Sequence, residues 1–384
     1  MKKKIEAEFT IVTPMFIGDA NQMAHDVRPP SLKGALRFWW RALNWGRMLV
    51  AEKGDMAKAL VSLHNREAKL FGLAANDKTG GQGVFLITLK QAVKDADQGF
   101  QNMSGAQLYL LGQGLGSFRD GNHTTRSALI SGTFSASLLF RPGTNDEDQH
   151  SVAETLFAFG LLGGLGSRAR HGMGSVSLTG WQGGEFSVPQ TAADYGKAIK
   201  GLLPHLPETL PPFTAFSRQS RIDISAENDN PLTLLTTVGS ELQMYRSFGK
   251  DGKVAGKPAE RNFTSDHDLV QSATNGERIS SAPVRSVFGL PHNYFFSSTK
   301  GKADINYAPG GSDARRASPL LLHIHRFPDG KCLAVHTLMP ATFLPEAAQI
   351  RVKAKTNSQV SFTPDWQVLH TFLDRFKTKE TLHG

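Results

Sequence analysis

The sequence predicts an α+β fold made of two tandem ferredoxin-like units, each with the element order βαββαβ. Strand and helix periodicities follow one another in that order through roughly the first 180 residues, and the order partly recurs near the C-terminus. A proline-rich stretch over residues 204–212 separates the two regions. The 384 residues are enough for two domains. We therefore expect domains at 1–203 and 204–384, each with an antiparallel sheet covered by helices.

In the first unit, residues 4–13 alternate apolar and polar side chains, as a half-buried strand does. Ser31, which follows Pro29 and Pro30, is the expected N-cap of a helix over 31–46. The remaining predicted elements are a helix over 55–71, strands over 84–89 and 129–140, a helix over 147–162 and a strand over 175–181. The 55–71 helix and residues 91–126 are then insertions into the βαββαβ order.

In the second region, a weak helix over 191–203 precedes the expected boundary. The predicted elements are a strand over 214–225, a helix over 232–246, strands over 319–327 and 331–339, and a helix over 365–376. The polar stretch 249–276 is rich in Lys and Arg and predicts a mobile basic loop.

Composition narrows the class of protein. The chain has 43 Lys and Arg against 34 Asp and Glu, a net charge of +9, which favours a polyanionic partner or serves solubility alone. The single cysteine, Cys332, excludes an intramolecular disulfide and a thiolate zinc cluster. No apolar stretch approaches the roughly 20 residues that span a bilayer, and Glu6 and Glu8 occupy the place of a signal-peptide apolar run. We expect a cytoplasmic protein with no membrane partner.

The first predicted helix carries concentrated positive charge. Residues 28–47 contain no Asp or Glu but five cations, namely Arg28, Lys33, Arg37, Arg41 and Arg47. Lys33, Arg37 and Arg41 are four residues apart and form one stripe, which suits phosphate oxygens or is a solvated helix face. Aromatic residues interleave these cations: Phe38, Trp39, Trp40 and Trp45. Exposed aromatics can stack bases, but the amphipathic pattern favours a core position.

The glycine-rich run 163–174 follows a helix and precedes a strand. A dinucleotide fingerprint has the opposite order and needs glycine where Ala169 stands, and no Walker spacing occurs. We therefore expect no nucleotide cofactor. Glycines let main-chain amides approach phosphates, so the run predicts a loop that binds a polyanion backbone, with a surface turn as the alternative. Its candidate contacts are Gly163, Gly164, Gly166, Arg168, Arg170 and His171.

Other polar residues give weaker signals. His25 and Asp26 lie in a loop, where such residues serve acid–base or metal chemistry but are mostly solvated. His323 and His325 share a strand face, yet no third metal ligand can be assigned, so we interpret them as structural or RNA-adjacent. We predict no catalytic residue and no metal site. Arg315 and Arg316 extend the basic character into the second region.

Several motifs together resemble the RAMP superfamily of CRISPR effector subunits, and within it the family of first subunits of type III-B (Cmr) complexes. They are TPMFIG at 13–18, RPPSLKGALRFWWR at 28–41, Glu67 with Leu70-Phe71-Gly72, the run 163–174, FGLP at 288–291 and RRASPL at 315–320. The resemblance covers most of the chain apart from 249–276 and the C-terminus.

The resemblance implies a non-catalytic RNA-binding subunit at the end of a ribonucleoprotein filament in antiviral defence. Its partners would be guide RNA, single-stranded target RNA and other RAMP subunits, with target cutting and cyclic oligoadenylate synthesis done by neighbouring subunits. The resemblance makes seven residues the leading RNA contacts, namely Arg28, Lys33, Arg37, Arg41, Arg168, Arg170 and His171. The predicted RNA-binding site also includes Gly163, Gly164, Gly166, Arg315 and Arg316.

Two alternatives stay open. The first is an endoribonuclease, either a metal-free guide-processing enzyme with His25 or His171 or a metal-dependent target nuclease. Asp26 is the candidate for the latter, since backbone subunits of the superfamily cut with an aspartate from the equivalent loop. The second is a scaffold whose basic face meets an acidic protein.

Overall fold

The computed structural model describes residues 4–74, 80–96, 103–112, 114–117, 121–203, 205–247, 252–254, 256–309 and 312–384. The helices of these residues are α1 (Pro29–Ala51), α2 (Met56–Phe71), α3 (Gly105–Leu111), α4 (Asp146–Leu162), α5 (Ala192–Leu202), α6 (Pro231–Arg246), α7 (Thr264–Asn275) and α8 (Gln367–Leu373), with a 3-10 turn at Val284–Phe288.

In the described ranges the strands form three four-stranded sheets and three two-stranded ones. The strands of the described residues are β1 (Lys4–Ile11), β2 (Gly72–Leu73), β3 (Gly81–Gln82), β4 (Phe85–Ala96), β5 (Gly116–Ser117), β6 (His123–Thr124), β7 (Ala128–Phe140), β8 (Val176–Gln182), β9 (Arg221–Asn228), β10 (Lys253–Val254), β11 (Lys257–Pro258), β12 (His292–Phe295), β13 (Lys302–Tyr307), β14 (Leu320–Arg326), β15 (Cys332–Leu338), β16 (Ile350–Lys353), β17 (Ser358–Val360) and β18 (Lys379–His383).

The first sheet has the order β4-β7-β1-β8, and all its pairs are antiparallel. Alternate residues of β1 are buried, because every second side chain points to the helices on one face. Phe9 stacks on Phe134 of β7 at 5.1 Å between ring centres and meets the edge of Phe159 in α4 at 5.5 Å. The predicted α+β class with antiparallel sheets is confirmed.

The second sheet has the order β14-β15-β9-β18, again with antiparallel pairs. Helices α6 and α8 cover it, and Tyr245 of α6 donates to Val368 O of α8 at 2.9 Å. Ile324 and Phe372 are buried in the core between this sheet and its helices.

A third sheet of order β12-β13-β16-β17 is formed by segments on either side of the β14–β15 hairpin. One of its faces packs on a separate core that includes Ile305, Phe343 and Val352. The sequence pattern did not predict this sheet, because its strands are short and far apart in the chain.

The two sheet regions are joined along the edges of β8 and β14. Three amides of β14 donate across the joint: Leu322 N to Arg170 O at 2.8 Å, Ile324 N to Ser175 Oγ at 3.1 Å, and Arg326 N to Ser177 Oγ at 2.7 Å. Serine hydroxyls thus replace most of the backbone ladder here. The cores also meet, since Leu321 and Val335 pack in the same cluster as Phe9.

Several predicted boundaries are confirmed and others are wrong. The helix predicted over 55–71 is α2, which Asp55 caps at its start and Gly72 at its end. The first long helix begins at Pro29 rather than after a Ser31 N-cap, because proline fits the first turn, where its missing N–H costs no hydrogen bond. Arg28 is the residue before that helix and makes no side-chain cap.

Later elements differ more. β4 extends to Ala96 instead of ending at 89, and β9 begins only at Arg221. β18, which completes the second sheet, was not predicted. Within the predicted loop 249–276, residues 264–275 form α7, which buries Val270 and Ala273 and ends at a left-handed Gly276. Residues 249–251 and 255 lie outside the described residues.

Candidate nucleic-acid interface

The stripe on α1, which comprises Lys33, Arg37 and Arg41 and is called the α1 stripe below, has a partner on α2. Glu67 Oε1 lies 3.2 Å from Arg37 Nε and 2.8 Å from Arg41 Nη1. Arg37 also donates to Gly72 O. Glu67 is only 8% exposed, so one shielded carboxylate is shared by two guanidinium groups. The stripe keeps a net positive charge, and burial with the charge of Arg37 lowers the pKa of Lys33.

The tryptophans of α1 belong to the core. Trp39, Trp40 and Trp45 are buried, which confirms the core interpretation and excludes them from base stacking. Arg47 is bound by Glu154 through two contacts of 2.5 and 2.6 Å, which raises its pKa. Phe38 is half-buried and lies next to the glycine-rich run, as described below.

The glycine-rich run packs tightly against the protein itself. A Cβ at Gly166, where φ is +86°, would lie 2.6 Å from Phe16 O, and one at Gly163 would lie 2.4 Å from Phe159 O. Gly164 is similarly close to Gly174 O, at 2.9 Å. The glycines are therefore required for the run to sit on the first sheet.

Many amides of the run already donate inside the protein. They are Gly163 N to Phe159 O, Leu165 N to Gly174 O, Ser167 N to Phe16 O, His171 N and Met173 N to Arg168 O, and Gly174 N to Pro14 O. The prediction that the run's amides form a phosphate cradle is wrong for these six, because their hydrogen bonds fix the loop. The charged side chains of the run are the remaining candidates.

Each charged side chain of the run reaches a neighbouring segment. Arg168, with φ +63°, donates from Nε to Leu111 O at 2.6 Å. Arg170 donates to Ser318 O at 2.6 Å, and its guanidinium lies 4.9 Å from the centre of the Phe38 ring. His171 Nδ1 donates to Leu110 O at 2.8 Å, and burial lowers its pKa to about 4.

Arg315 and Arg316 meet the run from the second half. Arg316 donates to Thr342 O at 3.1 Å, and its guanidinium lies 5.5 Å from the centre of the Phe343 ring. The charge of Arg315 helps burial to lower the pKa of Arg168, and that of Arg316 helps burial to lower the pKa of Arg170 to about 10. The positively charged arginines of the glycine-rich run therefore face Arg315 and Arg316 across the joint between the two sheet regions. We call Arg168, Arg170, Arg315 and Arg316 the seam cluster.

The seam cluster is poor in counter-charge. Within the described part of the chain, Arg170, Arg315 and Arg316 form no ion pair with a carboxylate. Arg316 Nε is buried and has no hydrogen-bond partner among the residues that the structure describes. Arg170 and Arg316 are half-buried and Arg315 is exposed. Partly desolvated guanidinium groups are stabilised by an anion, so this cluster can accept phosphate oxygens.

The loop between β1 and α1 carries the other candidate residues of the first half. Arg28 is exposed and donates to Gly18 O at 2.6 Å. His25 and Asp26 are also exposed. Among the described residues, no group of three or more metal-ligating side chains is found.

His323 and His325 are buried in the second sheet, 2% and 0% exposed. Their ring centres are 5.7 Å apart, and the ring of His325 lies 4.6 Å from that of Tyr195. Burial lowers the pKa of His323 to about 3 and that of His325 well below its usual value, so both rings are neutral. The structural interpretation of these histidines is confirmed.

Sequence reasoning missed the partners that position the candidate contacts. Glu67 was noted as part of a motif but not as a counter-ion, and Phe38 and Phe343 were not recognised as supports for arginines. Each partner lies on another element, so no local spacing signals it. Ser175 and Ser177 accept hydrogen bonds from amides of β14, but nothing in the sequence distinguishes them from other strand residues.

Comparison with known proteins gives a family and a fold. Residues 8–177 match the family described as the RAMP superfamily. The structure is similar over 99% of both chains to that of Cmr1 from Pyrococcus furiosus in its apo form, with 17% identity and a TM-score of 0.56. It is similar to a chain of the type III-B Cmr-beta complex bound to cognate target RNA over 98% of this chain and 99% of the other, with 10% identity and a TM-score of 0.52.

No curated protein sequence matches the chain. None of the helices in the described ranges is long and apolar enough to cross a bilayer.

Proposed function

We propose that this chain, whose residues 8–177 match the family described as the RAMP superfamily, is an RNA-binding subunit of a type III-B CRISPR effector complex. It contacts guide RNA, target RNA or both near one end of the filament, in antiviral defence. Its proposed partners are those RNAs and other RAMP subunits. The similarity to Cmr1 and to a chain of an RNA-bound Cmr-beta complex supports this assignment.

The seam cluster is the observation that carries the proposal. Arg170 and Arg316 come from the two halves, lie beside each other with lowered pKa values, and have no carboxylate partner within the described residues. Phe38 and Phe343 support their guanidinium planes. An RNA backbone supplies the missing negative charge, and guanidinium groups bind phosphates bidentately.

Recognition by this surface is independent of base sequence. Phosphate contacts position a strand without reading it, and pairing between guide and target supplies sequence choice. The α1 stripe provides a second, weaker set of phosphate contacts, because Glu67 already occupies Arg37 and Arg41.

The tandem ferredoxin-like organisation is part of the same proposal. In the first half, β4, β7, β1 and β8 stand in the order second, third, first, fourth strand of a βαββαβ unit. In the second half, β14, β15, β9 and β18 stand in that same order. The domain division at 203/204 follows from this repetition, and the glycine-rich run 163–174 connects the last helix and strand of the first unit.

The subunit is proposed to be non-catalytic. His171, one candidate for guide processing, is half-buried, and desolvation lowers its pKa to about 4, which does not suit a general acid or base near neutral pH. His25 and Asp26 are exposed and remain the candidates of the endoribonuclease alternative. Incubation with guide precursor and target RNA tests this: magnesium-dependent cutting lost in Asp26→Ala, or cutting in EDTA lost in His25→Ala, would contradict the proposal.

Purification from the native host tests the main assignment. The tagged chain, isolated at mild salt, is expected to carry short RNAs with a shared repeat-derived 5′ end and a set of other RAMP-type chains. Arg170→Glu with Arg316→Glu should release the RNA. Arg218→Glu is the matched control, since Arg218 is an exposed arginine, ion-paired with Glu208, outside both groups. Recovery of the chain alone would contradict the assignment, and subunits retained after ribonuclease and in the double variant would indicate the scaffold alternative.

A further inference from the structure

The third sheet, β12-β13-β16-β17, has a solvent-facing side that the proposed function does not use. We propose that this side stacks a base of single-stranded RNA on Phe295 while Lys302 holds the adjoining phosphate. This inference rests on the proposed function, because it extends the path of the RNA beyond the seam cluster.

The alternation of β12 places Phe295 on the outer face. Tyr294 and Phe296 point to the core of the third sheet, whereas Asn293 and Phe295 are exposed. Phe295 is 60% exposed and is the only aromatic side chain among the large apolar residues exposed in the described part of the chain. Its ring face is therefore available to a base.

Positive charge lies beside this ring. Lys302 is directly opposite Phe295 in the β12–β13 register, and Lys300 is exposed at the tip of the same hairpin. Neither lysine forms an ion pair within the described residues. Asp304, two residues further along β13, lies opposite Lys353 of β16 in the register, and the Lys353 ammonium is paired with Asp313, so two lysines stand against one carboxylate near Phe295. The end of the hairpin around Phe295 is thus basic.

The platform is continuous with the seam cluster. Leu290, just before β12, exchanges two backbone hydrogen bonds with Arg316, at 2.7 and 3.1 Å. Tyr307 at the end of β13 accepts from Ala314 N at 2.7 Å. The β12–β13 hairpin therefore starts at the seam and leads outward, and five residues at about 3.3 Å each place Phe295 roughly 16 Å beyond Arg316. A strand bound at the seam can reach it within a few nucleotides.

The surroundings of Phe295 favour RNA over a protein partner. The residues that share its face, Asn293, Lys302 and Asp304, are all polar. A protein-docking surface needs a cluster of apolar side chains at its centre, which is not formed here. One aromatic ring with lysines on an open sheet is the arrangement that single-stranded nucleic acid uses, by base stacking and phosphate contact.

Fluorescence anisotropy of the full chain with a labelled, unstructured RNA of about 20 nucleotides tests the inference. Phe295→Ala is expected to weaken binding about 5- to 150-fold, the range that corresponds to loss of one stacked base. Phe295→Leu should weaken it equally, and Phe295→Trp should retain it. Leu139→Ala is the control, because Leu139 is similarly exposed on the first sheet.

Salt titration distinguishes the stacking contact of Phe295 from the phosphate contact of Lys302. Phe295→Ala should leave the slope of log affinity against log salt unchanged, while Lys302→Ala should reduce it by about 0.7, the value for one phosphate contact on a single strand.

The outcomes distinguish this inference from the proposed function. If wild type binds and Arg170→Ala with Arg316→Ala weakens binding but Phe295→Ala does not, stacking is refuted and the function stands. If Phe295→Leu binds like wild type, the contact is apolar and stacking is likewise wrong. If Phe295→Ala leaves RNA affinity intact but loses another subunit, the face is a protein interface. No RNA binding by wild type overturns both proposals.

Discussion

The α1 stripe and the seam cluster carry similar charge but balance it differently. In the stripe, two of three cations share the buried carboxylate of Glu67. In the seam cluster, Arg170 and Arg316 are held by carbonyl oxygens and aromatic rings, which accept a guanidinium without neutralising it. The presence or absence of a neutralising carboxylate, rather than the number of cations in a group, therefore indicates where an anion binds.

The largest effect on stability is expected from a substitution in the glycine-rich run, which carries Arg168 and Arg170 of the seam cluster. Gly166→Ala places a Cβ 2.6 Å from Phe16 O at a φ of +86°, so we expect a loss of about 3 kcal/mol or more in the free energy of unfolding. Gly34→Ala is the control, since a Cβ there meets nothing within 4 Å and alanine favours α1. Urea unfolding measures both, and equal stabilities would show that the run is not a packed joint.

Removing the uncompensated cations should have the next largest effect. Arg170→Ala with Arg316→Ala is expected to weaken single-stranded RNA binding about 100-fold, or about 2.7 kcal/mol, and to lower the salt slope by about 1.4. Anisotropy over a salt series measures both quantities. An unchanged slope would show that neither guanidinium contacts a phosphate.

The free energy of unfolding should also depend on pH through His171, which lies at the joint between the two sheet regions. Its pKa is about 4 in the folded protein, against an ordinary value of 6.5, so the unfolded chain binds the extra proton between these values. Stability contributed by neutral His171 is complete above pH 6.5 and falls as pH drops toward 4. His171→Asn should remove about 1.4 kcal/mol per pH unit from that dependence. Urea unfolding across this window measures the difference, and parallel curves would contradict it.

The smallest effect is expected for the α1 stripe. Arg37→Ala with Arg41→Ala, combined with Glu67→Gln to avoid an unpaired buried carboxylate, should weaken RNA binding only about fivefold. Lys58→Ala on α2 is a control for the loss of a paired surface cation. A loss larger than that of the Arg170 and Arg316 variant would reverse the comparison between the two groups.

Local signals in the sequence predicted most of both main sheets. Alternation located β1 and β7, Asp55 located the start of α2, and helical spacing placed the tryptophans of α1 in the core. These features depend on neighbours in the chain. β18 has no strong alternation and forms only because β9 is available to pair with it.

The candidate site was predictable in composition but not in arrangement. The basic segments that contain Arg37, Arg170 and Arg316 could be recognised from the sequence alone. Which of them are compensated depends on Glu67, Phe38 and Thr342, contacts between elements far apart in sequence. The spacing of the glycines indicated that another group comes close to the backbone of the run. In the structure that group is another part of the same protein chain.

The joint formed by serine hydroxyls and β14 amides also has a consequence for the folding of the chain during synthesis. β14 is an edge strand with the sequence LLLHIHR and a buried run of leucine and isoleucine side chains, and three amides along its outer edge donate to Arg170 O and to the hydroxyls of Ser175 and Ser177. Without the first half, that edge would be an open template for intermolecular β-pairing. We therefore expect the second half expressed alone to aggregate, so that the first half, synthesised earlier, acts as its built-in chaperone.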